Sequence, residues 1–347
     1  MRKMASLRKI EKLTPIPDAD AIEVARVGGW NVVVKKGEYS PGDLCVYLEI
    51  DSWVPHAIAP FLSGGKVPKD YEGITGARLR TVKLRGALSQ GLVLPVSVLP
   101  SESQLAEGDD VSDILGVIKW EPPVDVSLRG VQRSTGVPGG GFPYGIPKTD
   151  LERIQNVSRL PVGELFEVTV KLDGSSCTLL HDIDGQVRVF SRNIELDRTS
   201  PLNASNAFVR ISNELEECVK SMPTGYALRG ELMGPGIQGN REGFRDIKFF
   251  AFDVWDSLGE NPGYLKPDDA QSMFDEHNIP TVPFLHARFK IEPHHDREFF
   301  LQWAEKVHSI NHVVAEGLVF KHVDGRDSQC EVPRFKAISN LFLLKEK

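Results

Sequence analysis

A lysine closing an apolar run, Thr169-Val170-Lys171-Leu172-Asp173-Gly174, is the residue of this sequence best placed to act as a nucleophile. Alternation along an extended segment puts Lys171 and Asp173 on one face, and Gly174 permits a sharp turn and the close approach of a ligand. To attack phosphorus the amine must be neutral, so its pKa has to fall through desolvation, neighbouring cations or metal. Further on come Arg192 in Ser191-Arg192-Asn193, and Glu231 in the largely apolar Ala227-Leu228-Arg229-Gly230-Glu231-Leu232-Met233-Gly234. Phe249-Phe250-Ala251-Phe252-Asp253-Val254 is an aromatic strand, and Glu316 precedes Gly317 with Lys321 five residues on. Arg334-Phe335-Lys336 sets two cations on one face of an extended segment. The set supplies a lysine nucleophile, carboxylates for a divalent cation, an aromatic surface for a base and cations for a triphosphate. A solitary Lys-x-Asp-Gly is a common surface strand-turn, so the weight rests on the ordered set.

Three other patterns carry less. Gly234-Pro235-Gly236-Ile237-Gln238-Gly239 satisfies the spacing of a dinucleotide loop, but Pro235 and the lack of a clear following helix favour a turn leaving Glu231. His294-His295 has no second ligand cluster at metal-site spacing and reads as surface histidine. Phe299, Phe300 and Trp303 recur at helical spacing and read as core.

Two kinds of segment must position these residues. The first ~120 residues read as short β-strands, with Ile22 to Val27, Trp30 to Val34, Leu44 to Leu48 and Gly91 to Pro95 separated by glycine-rich turns. Such spacing predicts a small barrel of OB-fold size over 1–120. A linker follows at 121–145, where Pro122-Pro123 and Val137-Pro138-Gly139-Gly140-Gly141 cannot build a regular element. From 146 to 347 strands alternate with helices, but several strands adjoin directly. An α+β catalytic domain built on antiparallel sheets fits better than a doubly wound sheet. Strands are expected over Leu165 to Val170, Val187 to Ser191, Phe249 to Val254 and Gly317 to Lys321, and helices over Ser205 to Ser221, Pro267 to Asn278 and His295 to Ile310.

The bulk composition is that of a globular protein, 41% hydrophobic and 26% charged over 347 residues. A net charge of -7 argues against a protein that merely coats nucleic acid. Between Gly73 and Ser101, however, Arg78, Arg80, Lys83 and Arg85 face no acid in the sequence, a local stripe able to take phosphates. No apolar stretch approaches bilayer-spanning length, the first ten residues have no apolar leader region, and the four dispersed cysteines form no CxxC pair. An intracellular, cytoplasmic monomer with no membrane attachment is expected.

The order KxDG, GEL, FAFD, EGLVFK and a late basic pair resembles the covalent nucleotidyltransferases of the ligase and capping-enzyme superfamily. It is most similar to the fifth family of ATP-dependent RNA ligases, whose OB module is N-terminal. Arg80-Thr81-Val82-Lys83-Leu84-Arg85-Gly86 with Ser89-Gln90-Gly91-Leu92 resembles that family's OB segment. Phe142-Pro143-Tyr144 and Pro147-Lys148-Thr149-Asp150, running into Arg153-Ile154-Gln155-Asn156, resemble its lead into the ligase domain, and Phe335-Lys336-Ala337-Ile338-Ser339-Asn340 its end. The resemblance implies a nucleotidyltransferase domain of the DNA/RNA ligase (ATP-grasp-like) kind. It implies joining of 3′-hydroxyl and 5′-phosphate ends, at nicks in RNA or RNA-containing duplexes, with ATP as AMP donor and Mg2+ or Mn2+ as metal. Lys171 would carry AMP, Asp173 and Glu316 would hold the metal, Glu231 would bind the ribose and Phe252 would stack on adenine. Arg192 would contact the ribose or the 5′-phosphate end, and Lys321 and Lys336 would grip the α-phosphate. Lys148, Thr149, Val170 and Arg334 would complete the nucleotide site, and Arg78, Arg80, Lys83 and Arg85 would hold nucleic acid. Arg334 stands where the family often has lysine, which keeps the charge but changes the donor geometry. A capping-type guanylyltransferase shares the lysine chemistry but carries its OB module after the catalytic domain, and a noncatalytic RNA-binding relative would lack the nucleophile or a metal carboxylate.

Overall fold

A computed structural model describes residues 2–100, 105–121 and 142–345, so most of the expected linker at 121–145 lies outside the described residues. The described chain divides into two compact units. The first holds residues up to 121 with Ile154–Ser158 and 343–345, and the second holds 142–153 and Arg159–Phe342.

The first unit is built of short antiparallel strands. Leu44–Leu48 sits between Ala5–Lys9 and Leu92–Pro95, and Ile22–Val27 between Lys12–Pro15 and Trp30–Lys35. In the hairpin Ile22–Val27/Trp30–Lys35 the buried positions alternate along both strands, as the sequence pattern demands of a half-buried sheet. A second hairpin pairs Thr81–Leu84 with Ala87–Gln90. Leu7, Val46, Leu48, Val54, Leu79, Val111 and Val117 form the core.

The second unit contains two sheets. The five-stranded sheet runs in the order Glu152–Arg153, Arg334–Ile338, Gly317–His322, Leu165–Lys171, Phe284–Lys290, antiparallel except for the first pair. The six-stranded sheet is antiparallel throughout, in the order Glu195–Leu196, Val187–Phe190, Ser175–His181, Tyr226–Met233, Lys248–Asp256, Gly263–Tyr264. Helices Ala207–Glu214, Glu216–Ser221 and Pro267–Glu276 cover one face of the six-stranded sheet, where Phe208, Ile211, Val219 and Phe274 pack on Leu179, Val189, Leu228 and Val254. Helix Arg297–Lys306 covers the five-stranded sheet through Phe300, whose ring lies 5.2 Å from Phe320 and 6.0 Å from Phe335. Among the described residues no helix is long and apolar enough to cross a membrane.

Helix ends depart from the expected bounds for local reasons. The single helix expected over Ser205 to Ser221 is two, capped at its start by the Asn206 side chain and interrupted at Leu215, which leaves helical geometry at φ -97, ψ 7. The last of the expected helices starts after Asp296, whose side chain accepts the Phe299 N–H. It stops at Lys306, beyond which the chain extends and His308 pairs with Val314.

Gly317 lies between Lys171 on one strand and Ile338 on the other. A Cβ there would stand 2.1 Å from the Ala337 carbonyl oxygen and 2.9 Å from the Ile338 Cα, both backbone atoms that cannot rotate away. Gly317→Ala should therefore cost about 1–3 kcal/mol, lowering the melting temperature by roughly 2–10 °C in calorimetry. An unchanged melting temperature would mean that these central strands separate freely.

Candidate active site

The register that sets Lys171 opposite Gly317 also brings the preceding residue, Glu316, against the lysine. Lys171 Nζ donates to Glu316 Oε2 at 2.7 Å, with 26% of the lysine side chain and 19% of the glutamate still accessible. Glu316 is itself fixed, since its carbonyl accepts the Ser339 N–H at 2.9 Å. The turn after Lys171 passes close to the six-stranded sheet, where the Gly174 N–H donates to Glu231 Oε1 at 3.0 Å. A Cβ at 174 would meet the Leu232 carbonyl oxygen at 2.5 Å and Glu231 Cγ at 2.9 Å. The glycine of the Lys-x-Asp-Gly motif is thus required by this close approach.

Charge is crowded here. Burial pushes the Lys171 amine down, but the neighbouring Glu316, Glu231 and Asp173 outweigh it and hold the amine above its ordinary value. The fall in lysine pKa required by the chemistry is therefore not supplied by the protein's own groups. Glu231 is pushed up to about 7, first by burial and then by the charges of Glu316 and Asp173, while Lys171 and the Gly174 N–H pull it down. The carboxylates are hard oxygen donors of the kind that suit Mg2+ or Mn2+. Among the described residues no three His, Cys, Asp or Glu side chains are close enough to enclose a metal unaided, so bound water or ligand oxygens would have to complete a coordination shell.

The remaining site residues fall into two groups. Asp150 receives Lys336 Nζ at 3.1 Å and lies 3.6 Å from Arg192 Nη2, so a cation from a strand of the five-stranded sheet and one from the turn between two strands of the six-stranded sheet converge on one carboxylate. The segment bearing Asp150 is tied down by Thr149 Oγ1, which donates to Ser176 Oγ at 2.9 Å, and by the buried Arg229, which donates to the Pro147 carbonyl. Lys148 is exposed. Phe252 and Phe250 are half-buried beside Val170, Leu172 and Met233. Val170 itself is buried and gives its N–H to the Pro283 carbonyl.

In the second group, Lys321 and Arg334 are covered and already paired. Lys321 donates to Glu167 Oε1 at 2.9 Å and lies 3.5 Å from Asp253 Oδ1. Arg334 is bound to Asp253 and lies over the Tyr264 ring at 3.7 Å. Burial would raise the Asp253 carboxyl, yet Arg334 and Lys321 hold it below the usual range. Neither cation is an open phosphate ligand in this arrangement. In the first unit Arg78 is likewise committed, to Asp51 at 2.6 Å and the Trp120 ring at 3.7 Å, whereas Arg80, Lys83 and Arg85 are exposed.

Charge partners that the sequence did not single out are Glu167, Asp253, Asp150 and Arg241, the last 3.6 Å from Asp173 Oδ2. Asp253 ends the aromatic motif and Asp150 follows Lys148-Thr149, so both stood within recognised segments. Nothing in the sequence around Arg241 marked it.

An OB-fold domain family matches residues 4–96, and the RNA ligase family matches residues 164–338. The chain is similar to a solved structure of Naegleria gruberi RNA ligase with PPi, with 40% identity, a TM-score of 0.85 and coverage of 100% of this chain and 99% of that one. A lysine-to-alanine mutant of that ligase with ATP and Mn matches at 39% identity and TM-score 0.85, covering 99% of both chains. A glutamate-to-alanine mutant with AMP and Mn matches at 40% identity and TM-score 0.86, again over 99% of both. No curated protein matches the chain.

A carboxyl raised to about 7 binds protons in the folded state that the unfolded chain has already released. Stability from this source is present below the unfolded carboxyl pKa and lost as pH climbs to 7 and beyond. Glu231→Gln removes the loss. Without nucleotide or added metal, its melting temperature should rise relative to wild type by several degrees between pH 5 and pH 8. A difference that stays constant across this range would show that Glu231 titrates normally.

Proposed function

The chain belongs to the RNA ligase family, and from that premise we propose that it is an ATP-dependent ligase joining 3′-hydroxyl and 5′-phosphate ends through a lysyl-AMP at Lys171. The observation that carries the reading is the Lys171–Glu316 contact of 2.7 Å, with Asp173 and Glu231 near enough to act on the same amine. That constellation places a partly accessible amine among three carboxylates able to take a divalent cation, which supports attack at phosphorus once a metal draws the carboxylates away.

Lys171 Nζ forms a P–N bond to the α-phosphorus of ATP, and pyrophosphate leaves. AMP then passes to a 5′-phosphate, and a 3′-hydroxyl attacks the adenylated end and expels AMP. Mg2+ or Mn2+ held by Asp173 and Glu316 would neutralise the carboxylates that keep the amine protonated and offset charge on the triphosphate. Lys336 and Arg192 serve the α-phosphate and the ribose or 5′-phosphate end, aligned through Asp150. Glu231 accepts from the ribose, and Phe252 offers its half-buried ring to adenine, with Lys148, Thr149 and Val170 bounding the pocket. Lys321 reaches the α-phosphate only by leaving Glu167, and Arg334 only by leaving Asp253, so we assign both first to holding the sheets together. In-line displacement at phosphorus needs alignment and charge compensation above all, which is what such a set provides.

The substrate we propose is a nick in a duplex whose 3′-hydroxyl strand is RNA, held in part by the OB-fold unit. The nick and the RNA strand follow from resemblance to the family, while contact of nucleic acid with the OB-fold unit is supported by the hairpin in which Leu84 pairs with Ala87, leaving Arg85-Gly86 as a two-residue turn with φ of 47 and 85. Turns of this kind favour Asn-Gly, and arginine in the left-handed region costs on the order of 1 kcal/mol. The cost keeps a cation at the tip, beside exposed Lys83 and Arg80.

A panel of 5′-labelled nicked duplexes with ribose or deoxyribose on either side of the break tests the substrate. Sealing should require ribose at the 3′-hydroxyl side, and indifference to that sugar would defeat the RNA part of the proposal.

A further inference from the structure

Arg241 has no place in the chemistry described so far, yet its position is built with care. The residue before it, Asn240, holds a left-handed φ of 42 and bonds Phe244 twice, donating to its carbonyl at 2.9 Å and accepting its N–H at 3.1 Å. The residue after it, Glu242, is buried, accepts the Asn311 N–H at 2.7 Å, and takes the Asn311 side-chain amide on its carbonyl at 2.6 Å. Between these two anchors the Arg241 guanidinium lies over the Phe342 ring at 4.6 Å, with Nη1 3.6 Å from Asp173 Oδ2. About a third of its side chain remains accessible.

We propose that Arg241 is a stand-in cation on Asp173, displaced when a divalent metal engages that carboxylate and then available to the triphosphate of ATP. The inference rests on the assignment of Asp173 as a metal carboxylate. The chemistry follows from the charges at hand. Asp173, Glu231 and Glu316 gather around the Lys171 amine, and Arg241 brings a second cation to Asp173. A guanidinium 3.6 Å from a carboxylate oxygen compensates its charge without a hydrogen bond and repels a dication that approaches the same carboxylate. Once separated from Asp173 it presents a planar fork of donors that matches phosphate oxygens. Arg241 thus acts as a positioning residue through Asp173, keeping the carboxylate compensated and in place before metal and nucleotide arrive.

Such an exchange has a signature of opposite signs. Arg241→Gln should bind Mn2+ more tightly in the absence of nucleotide, by about three- to tenfold for removal of one nearby charge, as read from the free-Mn2+ electron paramagnetic resonance signal. The same variant should raise the KM for ATP in Lys171 adenylylation by about tenfold, the scale of one lost charge-assisted hydrogen bond. Arg241→Lys retains the charge and should leave Mn2+ affinity near wild type, which separates charge from folding damage, and the melting temperatures of both variants are read alongside. Mn2+ affinity that is unchanged or weaker in Arg241→Gln overturns the proposal, as does an ATP KM that does not rise. Wild-type protein that takes up neither Mn2+ nor AMP would sink the ligase reading itself, and the role of Arg241 with it.

Discussion

The ion pair between Lys171 and Glu316 is the constraint on which the rest of the structure depends. It exists because two antiparallel strands share a register that sets Lys171 opposite Gly317. Everything that fixes this register, from the glycine that lets the Ala337 carbonyl approach to the phenylalanines that pack the far face, fixes the pair as well. The pair is also a chemical dilemma. A carboxylate at 2.7 Å is the surest way to hold an amine in place and the surest way to keep it protonated. On the proposed reading the amine is held in position but protonated, and a divalent cation that claims the carboxylates would free it to react.

The same logic extends outward. Asp173 is met by Arg241, Lys336 and Arg192 by Asp150, and Lys321 and Arg334 by Asp253 and Glu167. Buried charges are costly unless partnered, so a site meant for a metal and a polyphosphate must carry its own counter-charges. The pairs differ in how readily they can part. Lys171–Glu316 and Arg241–Asp173 are partly open to solvent, whereas Lys321 and Arg334 are nearly covered. Exposure alone does not sort them, since Lys336 is as covered as Arg334, and the two differ in partner: exposed Asp150 for one, buried Asp253 for the other.

The α+β ligase domain, the OB-fold unit and the identity of the enzyme were legible because ordered motifs carried them. What could not be read was partnership. Arg78 belongs to an acid-free stretch of sequence, but its acid, Asp51, lies 27 residues earlier and meets it only across a strand pair. Arg334 and Lys336 share a face by simple alternation, yet one is covered by Asp253 and Tyr264 while the other reaches Asp150, a distinction set by strands far away in the chain. Helix ends slipped for local reasons, as at Asp296, where a strong cap delays the start that periodicity alone would place earlier.

The most direct measurement is the mass of the Lys171-containing peptide after incubation with ATP and Mg2+, for wild type and Lys171→Ala. Wild type should gain one adenylate on Lys171, lose it on addition of pyrophosphate, and show no such gain in the alanine variant. Adenylate found on the alanine protein, or on another lysine of the wild type, would contradict the assignment of this amine as the nucleophile.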